Sequence, residues 1–273
     1  MTVPALYRGL FDDAALFPPG ELPLPEAVPA HEAHRAAWYA EAVGPFLCGA
    51  GRLADLRATA TAPLRVALVL PGGSGQLAPA LADAAGLTVV GVELADPDVP
   101  AAVVALDEQL PSGVAAAVEL ARGDGLEAAL DVLAGTPYRA KFRTGGLAAG
   151  AFPTEAELAA FLAGCAARAL PYKCTAGLHH AVRHTDPATG FEHHGFLNVL
   201  LAAQAGEDAA AAAEVLAERS GELLAKAALD LTDDQIAVVR GRFTAFGTCS
   251  VAEPLDDLAA LGLLAPPAPL EDR

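Results

Sequence analysis

The sequence is poor in positive charge. Its 17 basic residues stand against 34 acidic ones, a formal charge of −17, and a surface of that sign repels phosphate backbones and anionic lipid headgroups. Neither nucleic acid nor a membrane is therefore expected as a partner. The Ala-rich stretches are regularly interrupted by Asp, Glu, Gly or Arg, so no apolar run reaches the roughly 18 residues that a membrane-spanning helix needs. The N-terminal "MTVPALYRGLFDD" has no basic region followed by a continuous apolar segment. This argues against a cleaved secretory signal, and a cytoplasmic location is expected. Cysteine is scarce as well: Cys48, Cys165, Cys174 and Cys249 are scattered without a C-x-x-C pair, which fits reduced thiols better than a disulfide framework or a zinc finger.

Apolar residues, in contrast, make up 53% of the 273 positions, enough to bury a large core. Short β-rich runs alternate with Ala/Leu-rich amphipathic segments from end to end, with no low-complexity linker between them. Strands are expected at 9–17, 45–50, 64–70, 87–94, 112–120, 138–144, 172–178 and 242–250. In "FPTEAELAAFLAGCAARAL", Thr154 and Glu157 have capping-box spacing and Leu158, Phe161, Leu162 and Cys165 share one face, so a helix starts there and Cys165 belongs to the core. Eight βα units in a chain of this length predict an α/β fold, a (β/α)8 TIM barrel spanning 1–273 as one domain, with its pocket at the C-terminal ends of the strands. The stretch 180–241 is too long for one helix and its loops. Its segments "HHGFLNVLLAAQAG", "EDAAAAAEVLAERSGELLAKAAL" and "TDDQIAVVRGR" predict a helical excursion after strand seven. Such insertions shape a substrate pocket or an oligomer contact, and a homo-oligomer is one expected assembly.

Only three lysines occur, and two of them fall inside expected strands: Lys141 in "YRAKFRT" and Lys173 in "YKCTAGL". Strand parity puts Tyr138, Ala140 and Phe142 on one face and Arg139, Lys141 and Arg143 on the other. It likewise separates Tyr172, Cys174, Ala176 and Leu178 from Lys173, Thr175 and Gly177. The apolar sets pack against helices, so both lysines face the barrel interior. Desolvation and mutual repulsion are then expected to lower a lysine pKa, which makes the amine a nucleophile able to form an imine with a carbonyl compound. The alternative use of these lysines is structural, as ion pairs with Glu93, Glu119 or Asp12.

The run Lys141, Phe142, Arg143, Thr144, Gly145 is similar to the K-x-x-T-G pattern on the sixth strand of the deoxyribose-phosphate aldolase family, class I aldolases built on TIM barrels. "KCTAG" from Lys173 to Gly177 resembles the family's second lysine strand. "FDDAAL", "FLCGA" and "AFGTCS" resemble its first, second and closing strands. The resemblance implies a Schiff-base lyase in which Lys141 attacks a small carbonyl substrate, Lys173 tunes it by charge, and Glu93, Glu119 or His179 moves protons. Glu93 stands near the position of the family's proton-transferring aspartate. Glu119 has no accompanying lysine, and the family's phosphate-holding glycines after strand seven are represented by Ala176 and Gly177. Asp12, Arg143, Thr144, Gly145, Thr175, Gly177, His180 and Ser250 are the residues expected to line the substrate. The same geometry would serve a dehydratase or isomerase working through an imine.

Two other classes stay open. His179, His180, His184, His193 and His194 fall close together after strand seven, and with an acidic residue some of them could hold a metal ion for a hydrolase or lyase. A barrel that binds without catalysis is the other. "PGGSGQL" at 71–77 could cradle an anion on backbone amides, but it lacks both G-x-G-x-x-G and a Walker lysine, and a turn needing positive φ explains it as well. No cofactor is expected. Cys48 and Cys249, with no base partner evident in the sequence, read as apolar fillers, and Cys174 as structural.

Overall fold

A computed structural model describes residues 2–60 and 63–265. Eight parallel strands close into a barrel: β1 Phe11–Asp13, β2 Val43–Gly49, β3 Arg65–Leu70, β4 Thr88–Ala95, β5 Ala115–Leu120, β6 Arg139–Arg143, β7 Tyr172–Thr175 and, after a two-stranded hairpin, β10 Phe243–Thr248. Each strand pairs with its neighbour in sequence, and β10 closes the ring against β1 through Phe11↔Phe246 and Asp12↔Gly247. This is the expected TIM-barrel architecture.

Helices follow the strands because each strand presents one apolar face that needs covering. They are α1 Leu24–Ala36, α2 Leu53–Thr59, α3 Leu77–Asp83, α4 Val99–Gln109, α5 Leu126–Leu133 and α6 Glu155–Ala167, with α11 Ala252–Ala260 after β10. The start of α6 is fixed by a complete capping box between Thr154 and Glu157, which satisfies two amide donors that a helix end otherwise leaves orphaned. Behind β6 and β7, Phe142 stacks on Phe161 of α6 at 4.3 Å, and Tyr172 meets the same ring edge-on at 5.4 Å. These contacts hold Phe142 and Tyr172 outward, so the alternate positions Lys141 and Lys173 are driven inward.

The excursion between β7 and β10 differs from the all-helical expectation. It opens with the hairpin β8 His184–Thr185 and β9 Glu192–His193. The turn between them is held by the Asp186 carboxylate, which accepts from the Ala188 and Thr189 amides, and it closes at Gly190 with φ +72°. Four helices follow: α7 Phe196–Ala202, α8 Ala209–Ala217, α9 Gly221–Leu229 and α10 Asp233–Arg242. The long Ala-rich stretch breaks in two because Ser220 caps α9 through the Leu223 amide. Buried Asn198 on α7 donates to the carbonyls of Val215 and Glu218 and accepts from the Arg183 amide, tying hairpin and helices together. Among the described residues no helix is long and apolar enough to cross a membrane.

The barrel interior is divided. Ala14, Leu47, Ala67 and, partly exposed, Phe17 and Val69 form an apolar plug over its β1–β3 side, while charged groups from β4 to β7, joined by Asp12 of β1, occupy the rest.

Candidate active site

Lys141 and Lys173 are side by side in the register of β6 and β7, and both are almost wholly buried. Burying two ammonium groups is costly unless carboxylates compensate them, and here Glu93 on β4 does so for both. One of its oxygens lies 2.7 Å from Lys141 Nζ, and the other accepts from Lys173 Nζ. Lys141 also lies 3.0 Å from Glu119 Oε2 on β5, and the other Glu119 oxygen accepts from Arg143 Nε at 3.0 Å. On the far side Lys173 donates to Asp12 Oδ2 on β1 at 2.5 Å. The result is one alternating chain across the barrel: Asp12, Lys173, Glu93, Lys141, Glu119, Arg143. Its three negative and three positive members balance, which is how the interior tolerates them.

Electrostatics reverse one expectation. Burial alone would lower the Lys173 pKa, but Asp12 and Glu93 outweigh it and raise the ammonium above its ordinary value. Repulsion between the lysines is absorbed because a carboxylate sits between them. Burial likewise pushes the Glu93 carboxyl up, yet the two ammoniums prevail and hold it down at about 2. Glu119 is lowered in the same way, its burial overcome by Lys141 and Arg143. Asp12 is the exception: burial exceeds the pull of Lys173, so its carboxyl is raised. A glycine makes room for the Asp12 carboxylate, since a Cβ on Gly44 of β2 would fall 1.9 Å from Asp12 Oδ1.

The chain runs toward the C-terminal mouth through Glu119 to Arg143, whose side chain is half exposed. Beside it Thr144 is engaged with the backbone of the strand-seven junction. Its buried hydroxyl donates to the Ala176 carbonyl and its amide to the Thr175 carbonyl. Gly145 and Gly177 serve the same junction: a Cβ on Gly145 would lie 2.7 Å from Gly177 Cα. The K-x-x-T-G glycine therefore permits close approach of two backbones. Thr175 is half-buried on the inner face. The Ser250 hydroxyl accepts from the Glu253 amide at the start of α11.

His179, also at this mouth, donates from Nδ1 to Glu253 Oε2 at 2.9 Å. Cys249 Sγ lies 3.7 Å and 3.9 Å from the two ring nitrogens. Burial raises its pKa. Cys249 thus has a histidine neighbour that the sequence did not reveal, and burial keeps its thiol protonated.

The histidines do not converge. His180 pairs with Asp257 at 3.2 Å. His184 and His193 face each other across the hairpin with ring centroids 5.1 Å apart. His194 is buried, donating to the Pro153 carbonyl and accepting from Arg183. Burial holds it down at about 4, so it is neutral at pH 7. Among the described residues no group of three His, Cys, Asp or Glu side chains is placed to hold a metal ion. The 71–77 loop is a turn whose amides are already engaged: Gly72 donates to Gln76 Oε1, Ser74 to Asp96 Oδ2, and Gly73 has φ +85°.

A prominent cavity lies at the other end of the barrel from the expected pocket. It measures about 1000 Å³ and opens at the N-terminal mouth, reaching Asp12, Glu93 and Lys173 from below but not Lys141. Small residues make room for it: Ala67, Gly91, Ala117 and Ala245 line it, where TIM barrels ordinarily carry bulky branched side chains. Residues that sequence reasoning passed over lie here, notably Arg139 and the buried Asp13–His31 pair at 2.8 Å. The only signal for Arg139 was its parity with Lys141. No protein-family model matches the chain, and no curated protein matches it.

Proposed function

We propose that the chain is an imine-forming lyase of the class I aldolase type, acting on a small carbonyl compound that reaches Lys141 from the C-terminal mouth. The observation that carries this reading is Lys141 itself: a buried amine held between two carboxylates, Glu93 and Glu119, two residues before the half-exposed Arg143 on the same strand. The sequence likeness of this strand to the aldolases supports it.

The amine must first lose a proton. Glu93 is a poor acceptor because two ammoniums stabilise its charge. Glu119 is the better one, since one of the cations lowering it is the half-exposed Arg143. A substrate whose anionic or polar group engages Arg143 draws that guanidinium away, raises the basicity of Glu119, and lets it take the Lys141 proton. The neutral amine then attacks the carbonyl carbon. A C–N bond forms, the oxygen leaves as water, and the resulting iminium is the electron sink for C–C cleavage or formation. Glu119 and His179 are the groups at this mouth for the proton transfers that follow.

Borohydride reduction in the presence of a panel of aldehydes and ketones, followed by peptide mass spectrometry, tests the proposal. An adduct on the Lys141 peptide, absent in a folded Lys141→Ala variant, is expected. No adduct anywhere across the panel sinks the reading, and an adduct at Lys173 alone would move the chemistry to the opposite mouth.

A further inference from the structure

The cavity at the N-terminal mouth is charged against the character of the whole molecule. Five of the 17 basic residues line it, compared with four of the 34 acidic ones. Two of the four carboxylates, Asp12 and Glu93, are already engaged by lysines. At the rim, Arg8 is paired with Glu41 at 3.3 Å. That leaves Arg35, Arg65 and Arg139, for which no carboxylate lies within ion-pair distance among the described residues. Arg139 is the deepest of them. It stands at the start of β6 on the inner face, half-buried, and its one side-chain hydrogen bond is to Thr244 Oγ1 at 3.2 Å. Just behind this face, Arg240 donates to the carbonyls of Arg8, Phe243 and Thr244 and likewise has no carboxylate partner among the described residues.

An inward guanidinium with most of its five donors unused, on the wall of a cavity open to solvent, is arranged to grip an anion. Its planar fork matches the paired oxygens of a carboxylate or phosphate. Small side chains at Ala67, Gly91, Ala117 and Ala245 line the same cavity, which leaves room for an organic body of sugar-phosphate or tricarboxylate size, while Glu32 and the Arg8-paired Glu41 are the acidic groups at its rim. We infer that the N-terminal mouth is a binding site for a small organic anion, with Arg139 as its anchor and Arg35 and Arg65 setting the field at the entrance. This site lies on the face opposite the proposed imine chemistry and does not depend on it. It meets that chemistry only through Lys173 and Glu93, which line its inner end.

Thermal shift and calorimetric titration with inorganic phosphate, ribose 5-phosphate and citrate test the site, with sodium chloride at matched ionic strength and neutral ribose as controls. At least one anion should raise Tm saturably, because a ligand that binds only the folded state stabilises it. Phosphate esters acting alone, or citrate acting alone, would tell which anionic group is favoured. Arg139→Gln should weaken binding by about tenfold or more, with Arg139→Lys intermediate. Ala117 is the register partner of Arg139, so Ala117→Leu fills the cavity beside it and should block binding while every charge remains. If no probe shifts wild type beyond chloride at millimolar concentration, or if both Arg139→Gln and Ala117→Leu bind as wild type does, the inference is overturned.

Discussion

The two mouths of this barrel are built on opposite plans. At the C-terminal mouth the charges are matched: Glu119 holds both Lys141 and Arg143, and an apolar plug around Phe17, Leu47 and Val69 covers the neighbouring strands. At the N-terminal mouth the interior is hollow, and arginines stand without carboxylate partners among the described residues. TIM barrels ordinarily reserve the C-terminal face for function, because that is where the βα loops lie. Here the size of the inward side chains decides where there is room. Alanine and glycine in the lower layer create space that loop position alone would not suggest. Glu93 is the one residue that belongs to both plans, with one oxygen on each lysine.

Cutting that link is the most severe way to break the comparison. Glu93→Gln leaves two buried ammoniums without their shared counter-charge, and breaking a buried pair from one side costs about 3–5 kcal/mol. Urea unfolding should show that loss. The same carboxylate sets an acid limb. Its folded pKa of about 2 lies below its ordinary 4.5, so its stabilisation is complete above about 4.5 and disappears as pH falls toward 2. Wild-type stability should therefore fall through that window, and the variant should fall less steeply there. A variant within 1 kcal/mol of wild type, roughly the scale of a surface pair, would show that the mouths are not joined through Glu93.

Gly44→Ala tests the inner end alone. The added methyl collides with Asp12 Oδ1, and accommodating it should cost about 1–3 kcal/mol, typical of overpacking. Borohydride trapping at Lys141 should persist in this variant, because Asp12 touches Lys173 and not Lys141. Equal loss of stability and trapping would mean that the chain responds as one unit.

The smallest effect on stability is expected at the outer end. Arg143 is half exposed, so Arg143→Gln should change unfolding free energy by no more than about 1 kcal/mol. Imine trapping with anionic carbonyl compounds should nevertheless drop, while trapping with neutral ones is retained. A uniform drop for both kinds would remove Arg143 as the reader of substrate charge.

Much of this arrangement is local in origin. The alternation around Lys141 and Lys173 assigns each lysine to the inner face, because tyrosine and phenylalanine at the neighbouring positions must be buried against helices. The capping boxes at Thr154 and Thr232 lie within four consecutive residues and are equally readable. The hairpin after β7 was harder, since two-residue strands leave almost no periodic pattern and only the Asp186–Gly190 turn announces them. Thr144 and Gly145 were visible as a motif, but the motif does not say that they face another strand's backbone. Arg139 was placed inward by parity and then passed over, because its importance depends on what other strands put opposite it.

The amino-acid order by itself determined the eight-unit barrel and the inward direction of both lysines, because periodicity and burial act over neighbouring residues. Tertiary structure alone decided which carboxylates they meet. Asp12 and Lys173 are 161 positions apart, and only barrel closure between β1 and β10, beside β7, brings them together. The same closure brings Ala67, Gly91, Ala117 and Ala245 to the lining of one cavity, and no single strand carries the information that all four are small. A lysine's charge and a cavity's volume are properties of what surrounds them, and in a closed barrel those surroundings are drawn from strands far apart in the chain.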